Sequence, residues 1–121
     1  MSAPQISGAL RQAFLDNLVS GAAAHLPLAP GIKACALQGG KQPGLALYIA
    51  REALQPGQLQ RVLERRFEYA SLYEGCFAYL DAQHALVIWH ALPAARHTLD
   101  TVLSRMLSLA NLAALDSPSN R

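Results

Sequence analysis

Cysteine, lysine and tryptophan are nearly absent from this 121-residue chain, which holds two, two and one of them. Cys35 and Cys76 lie 41 positions apart with no Cys-x-x-Cys spacing. They read as two buried thiols in a reducing compartment rather than as a structural disulfide. Charge of one sign is lacking too: ten Lys and Arg against eight Asp and Glu leave +2, too small an excess to form a nucleic-acid footprint. No basic residue precedes Arg11, so no charged n-region opens a signal peptide. Asp16 and Asn17 interrupt the next apolar stretch, and no run approaches the ~18 apolar residues of a membrane span. The expectation is a cytoplasmic protein without membrane insertion.

What is present is apolar. Hydrophobic residues make up 52% of the chain and charged residues 15%, which argues against disorder over most of it. The length suits one domain, and such a domain hides roughly two thirds of its extended-chain surface. It needs neither disulfide nor metal to hold a core. Residues 1–116 read as that domain, and the apolar-free stretch 117–121 as a fraying tail.

Catalytic constellations are missing as well. His25, His84, His90 and His97 form no His-x-His or zinc-ligand pattern. Cys76 has His84 as its nearest histidine, and a buried apolar thiol is a poor nucleophile. A small cysteine-dependent enzyme is therefore the third choice. Gly39-Gly40-Lys41 lacks the upstream glycine and the following helix of a phosphate loop. Arg61, Arg65 and Arg66 alternate with Glu64 and Glu68 at pairing distances along a helix, a solvated face rather than a basic stripe. Catalytic, cofactor-binding and metal-binding residues are expected to be none, and a binding or assembly role is left.

The spacing of Leu10, Phe14 and Leu18, with Leu15, Val19 and Ala22, predicts a helix from Pro4 to about His25. Ile32–Gln38 and Leu45–Arg51 flank a six-residue turn and predict a hairpin. Leu59, Val62, Leu63, Phe67, Ala70 and Tyr73 predict a second helix from Pro56 to about Glu74, ended by Gly75. Cys76–Leu80 and Leu86–Leu92 predict a second hairpin, with Val87, Ile88 and Trp89 at the centre of the sheet. Pro93 opens a third helix carrying Leu103 and Met106 against that hairpin. The expected fold is α+β, an antiparallel sheet in the order α-β-β-α-β-β-α.

Several strings in this order resemble the class I type III secretion chaperones, small cytosolic bacterial proteins that escort effectors to an injection apparatus. They are the Pro-led second helix (Gln55-Pro56-Gly57-Gln58-Leu59), Tyr79-Leu80-Asp81 turning into Ala85-Leu86-Val87-Ile88, and Leu92-Pro93 before a leucine-rich last helix. The resemblance implies a further short strand between the first hairpin and the second helix, where Ala53-Leu54-Gln55 leaves little room. It also implies a dimer, homodimeric or paired with a chaperone-like subunit, that holds the N-terminal region of a secreted effector in extended form without a cofactor. Members are acidic, and the +2 balance turns attention to a variant that sequesters a regulator of the secretion system.

Apolar arcs of about 160° on the second and third helices, wider than the ~100° a surface helix needs, point to partner surfaces. Val62, Arg66, Tyr69 and Tyr73 are the candidate dimer interface, beside a core stripe of Leu59, Leu63 and Phe67. Leu10, Phe14, Leu18 and Tyr48 are the candidate partner-binding residues.

Overall fold

The computed structural model describes residues 8–93 and 96–116. Three helices and five strands run in the order α1 (Gly8–Ser20), β1 (His25–Ala29), β2 (Ile32–Ala36), β3 (Gly44–Ile49), α2 (Gln58–Glu68), β4 (Phe77–Leu80), β5 (Leu86–Ala91) and α3 (Arg96–Leu109). The five strands form one antiparallel sheet in the order β1-β2-β3-β5-β4. The α+β class and both expected hairpins are present. The start of the first helix at Pro4 and the tail 117–121 lie outside the described residues.

The first helix ends sooner than its periodicity implies. Gly21 takes φ +85, and the amides of Gly21 and Ala22 bond back to Leu18 and Asn17 at 3.1 and 2.9 Å. This left-handed stop ends α1 and frees His25–Ala29 to become β1. The additional strand therefore precedes the first hairpin. A 3-10 turn at Arg51–Ala53 fills the place after β3. Pro27 disguised β1, since proline in a strand is confined to edges, and β1 is an edge strand with an irregular register between Pro27 and Ala29.

The middle of the sheet is β3, with β5 beside it. Alternation sends Leu45, Leu47 and Ile49 of β3 and Leu86 and Ile88 of β5 to one face. There they join Phe14, Leu15 and Leu18 of α1, Val62 of α2, and Leu99, Leu103 and Met106 of α3 in the main core. Leu103 and Met106 thus meet the second hairpin as expected. The opposite face carries a second, small cluster of Cys35, Ala46 and Val87, and no helix residue belongs to it. Tyr48 and Trp89 lean over that cluster, so the sheet covers part of its own bare face.

Trp89 also fastens the turn between β2 and β3. Its Nε1 donates to the Leu37 carbonyl at 2.8 Å. Its ring lies where a Cβ on Gly44 would sit, and a Cβ on Gly39 would approach Cζ2 to 2.7 Å. Glycine at 44 is a packing requirement here, met by a hydrogen atom under an aromatic ring. Gly44→Ala is expected to cost about 1–3 kcal/mol through overpacking. Trp89 is the only tryptophan, so a red shift of its emission in that variant reports the displaced ring.

Candidate interaction surface

Helix α2 turns a different side inward from the one its leucines suggest. A helix C-terminus leaves carbonyls without intrahelical donors, and α3 ends beside α2. Gln58 Nε2 donates to the Ala110 carbonyl at 3.0 Å, and Arg65 Nη1 to those of Ser108 and Leu109 at 2.8 and 3.3 Å. The Tyr73 hydroxyl lies 3.0 Å from Ser108 Oγ. These contacts draw Gln58, Val62 and Arg65 toward α3 and bury Gln58, Val62 and Tyr73. Of the stripe Leu59, Leu63 and Phe67 expected in the core, Leu59 packs against it, while Leu63 and Phe67 are exposed, Phe67 to 84%.

Arg66 reaches the other way and donates from Nε to the Cys76 carbonyl at 2.8 Å, tying α2 to the approach of β4. Among the described residues, seven of the ten exposed large apolar side chains fall between positions 63 and 80: Leu63, Phe67, Tyr69, Leu72, Phe77, Tyr79 and Leu80. They lie on α2, on the turns that follow it and on the edge strand β4. Phe77 and Tyr79 stand on the helix-free face, where Phe77 lies 6.1 Å from Trp89 between ring centroids. Residues Phe77–Leu80 carry no charge and no proline, whereas an edge strand is ordinarily guarded by one or the other.

Arg65 and Arg66 are engaged with backbone carbonyls, while Glu64, Glu68 and Glu74 are exposed beside Arg61. Each guanidinium keeps its charge in such a bond, so Arg61, Arg65 and Arg66 balance Glu64, Glu68 and Glu74 along this stretch.

The residues singled out from sequence divide between core and surface. Val62 and Tyr73 are buried within the chain, Arg66 is half-buried on the Cys76 carbonyl, and Tyr69 alone of that set is well exposed. Phe14 and Leu18 are core residues at 3% and 2% exposure, while Leu10 is exposed. Tyr48 stands on the bare sheet face, half-buried, with Lys33 Nζ 5.2 Å from its ring centroid. The sequence reading missed Phe77, Tyr79 and Leu80 as surface residues. The available signal was their place on a short uncharged strand that could have been recognised as an edge.

Both cysteines are buried free thiols. Burial pushes the Cys35 thiol up in pKa against the opposing pull of Lys33, and does the same to Cys76 against Arg66 and Arg105. Among the described residues no group of His, Cys, Asp and Glu is placed to hold a metal ion, and no helix is long and apolar enough to cross a membrane.

These features define a small two-layer α+β domain with its helices on one side of the sheet and, among the described residues, most exposed large apolar side chains between α2 and the end of β4. The chain belongs to the HrpV-like family, whose model matches residues 1–115. It is a type III secretion-associated protein, in keeping with the bacterial virulence setting implied by the resemblance. No curated protein and no solved structure gives a significant match.

Proposed function

We propose that the protein is a non-enzymatic regulatory subunit of a bacterial type III secretion system, which acts in the cytoplasm by pairing with a chaperone-like subunit through the α2–β4 corner. One observation carries this reading: the concentration of exposed large apolar residues between Leu63 and Leu80. Scattered single exposed apolar residues need no explanation, but a cluster of this kind marks an interaction site. Two buried thiols with raised pKa make poor nucleophiles, which supports a binding role over catalysis.

Phe67→Glu tests the pairing. Its side chain already faces solvent, so the far-UV spectrum is expected to stay native, while co-expressed chaperone-like subunits of the same secretion system no longer co-elute on light-scattering chromatography. A wild-type chain that stays monomeric and retains none of those subunits sinks the reading.

The uncharged edge of β4 favours a second reading, a secretion chaperone that holds the N-terminal region of an effector in extended form. Added backbone hydrogen bonds at a strand edge are how such a segment is held. Deletion then lowers export of that effector while leaving transcription of the secretion genes unchanged. A regulatory subunit gives the reverse pattern.

A further inference from the structure

Next to the α2–β4 corner lies a cleft of about 350 Å³. Its walls come from three places: the segment after β3 (Arg51, Leu54, Gln55), the first turn of α2 (Gly57, Gln58, Leu59), and the β4–β5 connection (Leu80, His84). The apolar part is Leu54, Leu59 and Leu80. Arg51 and His84 are exposed on its lining. Arg61 joins them from one turn along α2, since its Nη1 lies 3.1 Å from where a Cβ on Gly57 would sit. None of the lining residues carries a carboxylate. Asp81, the acid closest to His84 in sequence, accepts from the Gln83 and Ala85 amides at 2.9 and 3.0 Å and so serves its own turn.

An apolar floor with basic groups at the rim and no acid among its walls has a definite complement. The geometry points to this cleft as the seat for an apolar residue of the protein partner followed directly by an acidic one, the apolar side chain entering between Leu54, Leu59 and Leu80 and the carboxylate meeting Arg51 and Arg61. The inference rests on the reading of the chain as a protein-binding subunit and names the chemistry of the segment it takes. Leu80 belongs both to this cleft and to the exposed corner, so a chain lying along β4 reaches the cleft without crossing bare polar surface. A bound anion without an apolar group would leave the leucine walls unused, and an apolar group alone would leave the arginines unused.

Nitrogen-15 spectra of the full chain test it with three capped tetrapeptides: Ala-Leu-Asp-Ala, Ala-Leu-Asn-Ala and Ala-Ala-Asp-Ala. The Leu-Asp peptide is expected to shift the amides of Gly57, Leu59, Leu80 and His84 saturably. The Leu-Asn peptide should bind about fivefold more weakly, the scale of an exposed ion pair. The Ala-Asp peptide should bind about tenfold more weakly through lost apolar burial. Arg51→Gln should erase most of the preference for Asp over Asn and keep the preference for Leu over Ala. Equal binding of the Asp and Asn peptides overturns the proposal, as does the absence of saturable shifts. Inorganic phosphate that reproduces the same shifts and displaces the peptide also overturns it, in favour of a free-anion site. Phe67→Glu protein should bind the Leu-Asp peptide like the wild type. Failure of the cleft and failure of subunit pairing are then read separately.

Discussion

Phe14→Asp is expected to abolish folding. Phe14 is 3% exposed and sits in the main core with Leu15 and Leu18. Removing a buried phenylalanine side chain costs about 3–5 kcal/mol, and an unpaired carboxylate in that space adds several kcal/mol more. Against a total stability of ~5–15 kcal/mol this leaves no folded population worth measuring. The variant should show no cooperative unfolding transition and a far-UV spectrum without native helix content. Phe14→Leu keeps the apolar volume closely enough to remain folded, at a cost under ~1.5 kcal/mol. A folded Phe14→Asp with a native spectrum would mean that this side chain reaches solvent, and would return α1 to the partner-binding role first assigned to it.

Arg11→Ala carries the second-largest effect. The side chain is 5% exposed and its donors are distributed over three partners. Nε meets Asp100 Oδ1 at 2.8 Å, Nη1 meets Asp116 Oδ1 at 2.5 Å, and Nη2 donates to Ser104 Oγ at 2.9 Å and to the Asp100 carbonyl at 3.1 Å. Ser104 Oγ in turn donates to Asp116 Oδ1 at 3.1 Å. One guanidinium thus joins α1, α3 and the short C-terminal turn Ala113–Leu115 that precedes Asp116. Asp100 is half in solvent, but the Asp116 side chain is only 18% exposed and would lose its cation. Breaking a buried pair from one side costs about 3–5 kcal/mol, and the solvent around Asp100 places this case near ~3 kcal/mol. Denaturant melts give the value. In a double-mutant cycle, Arg11→Met with Asp116→Asn should cost less than the sum of the two singles, because each single change already breaks the same ion pair. Strict additivity would show that the network contributes nothing as a unit.

Apolar periodicity carried most of the architecture. Leu45, Leu47 and Ile49, and Leu86 with Ile88, alternate as a half-covered sheet requires, and both hairpins were legible from them. β1 was not, because Ala22–Ala24 extend the helical pattern and Pro27 argues against a strand. The competing facts were a left-handed glycine at 21 and an edge position that tolerates proline, neither of which periodicity encodes. Arg11 is buried in α1, and its partners lie 89 and 105 positions away, beyond the reach of any local pattern. Helix α2 misled for a related reason. Its leucines mark one side, yet the carbonyls at the end of α3 require donors, and Gln58 and Arg65 answer them. Polar demand from a distant helix end chose the buried side, and Phe67 was turned outward as a result. Of the candidate interface residues, Val62 and Tyr73 are therefore buried within the chain and Tyr69 is exposed.

The two edges of the sheet are unlike. β1 is interrupted by Pro27 and an irregular register, while β4 is short, uncharged and proline-free. A strand can be added cleanly at one end of the sheet and not at the other. Any assembly built edge to edge thus stops after one junction: two domains joined through β4 present only their proline-bearing ends to solution. In such an assembly the domain would have the valence of a terminator rather than a linker, its sheet kept from growing into an open fibre by a single imino acid on the edge opposite β4.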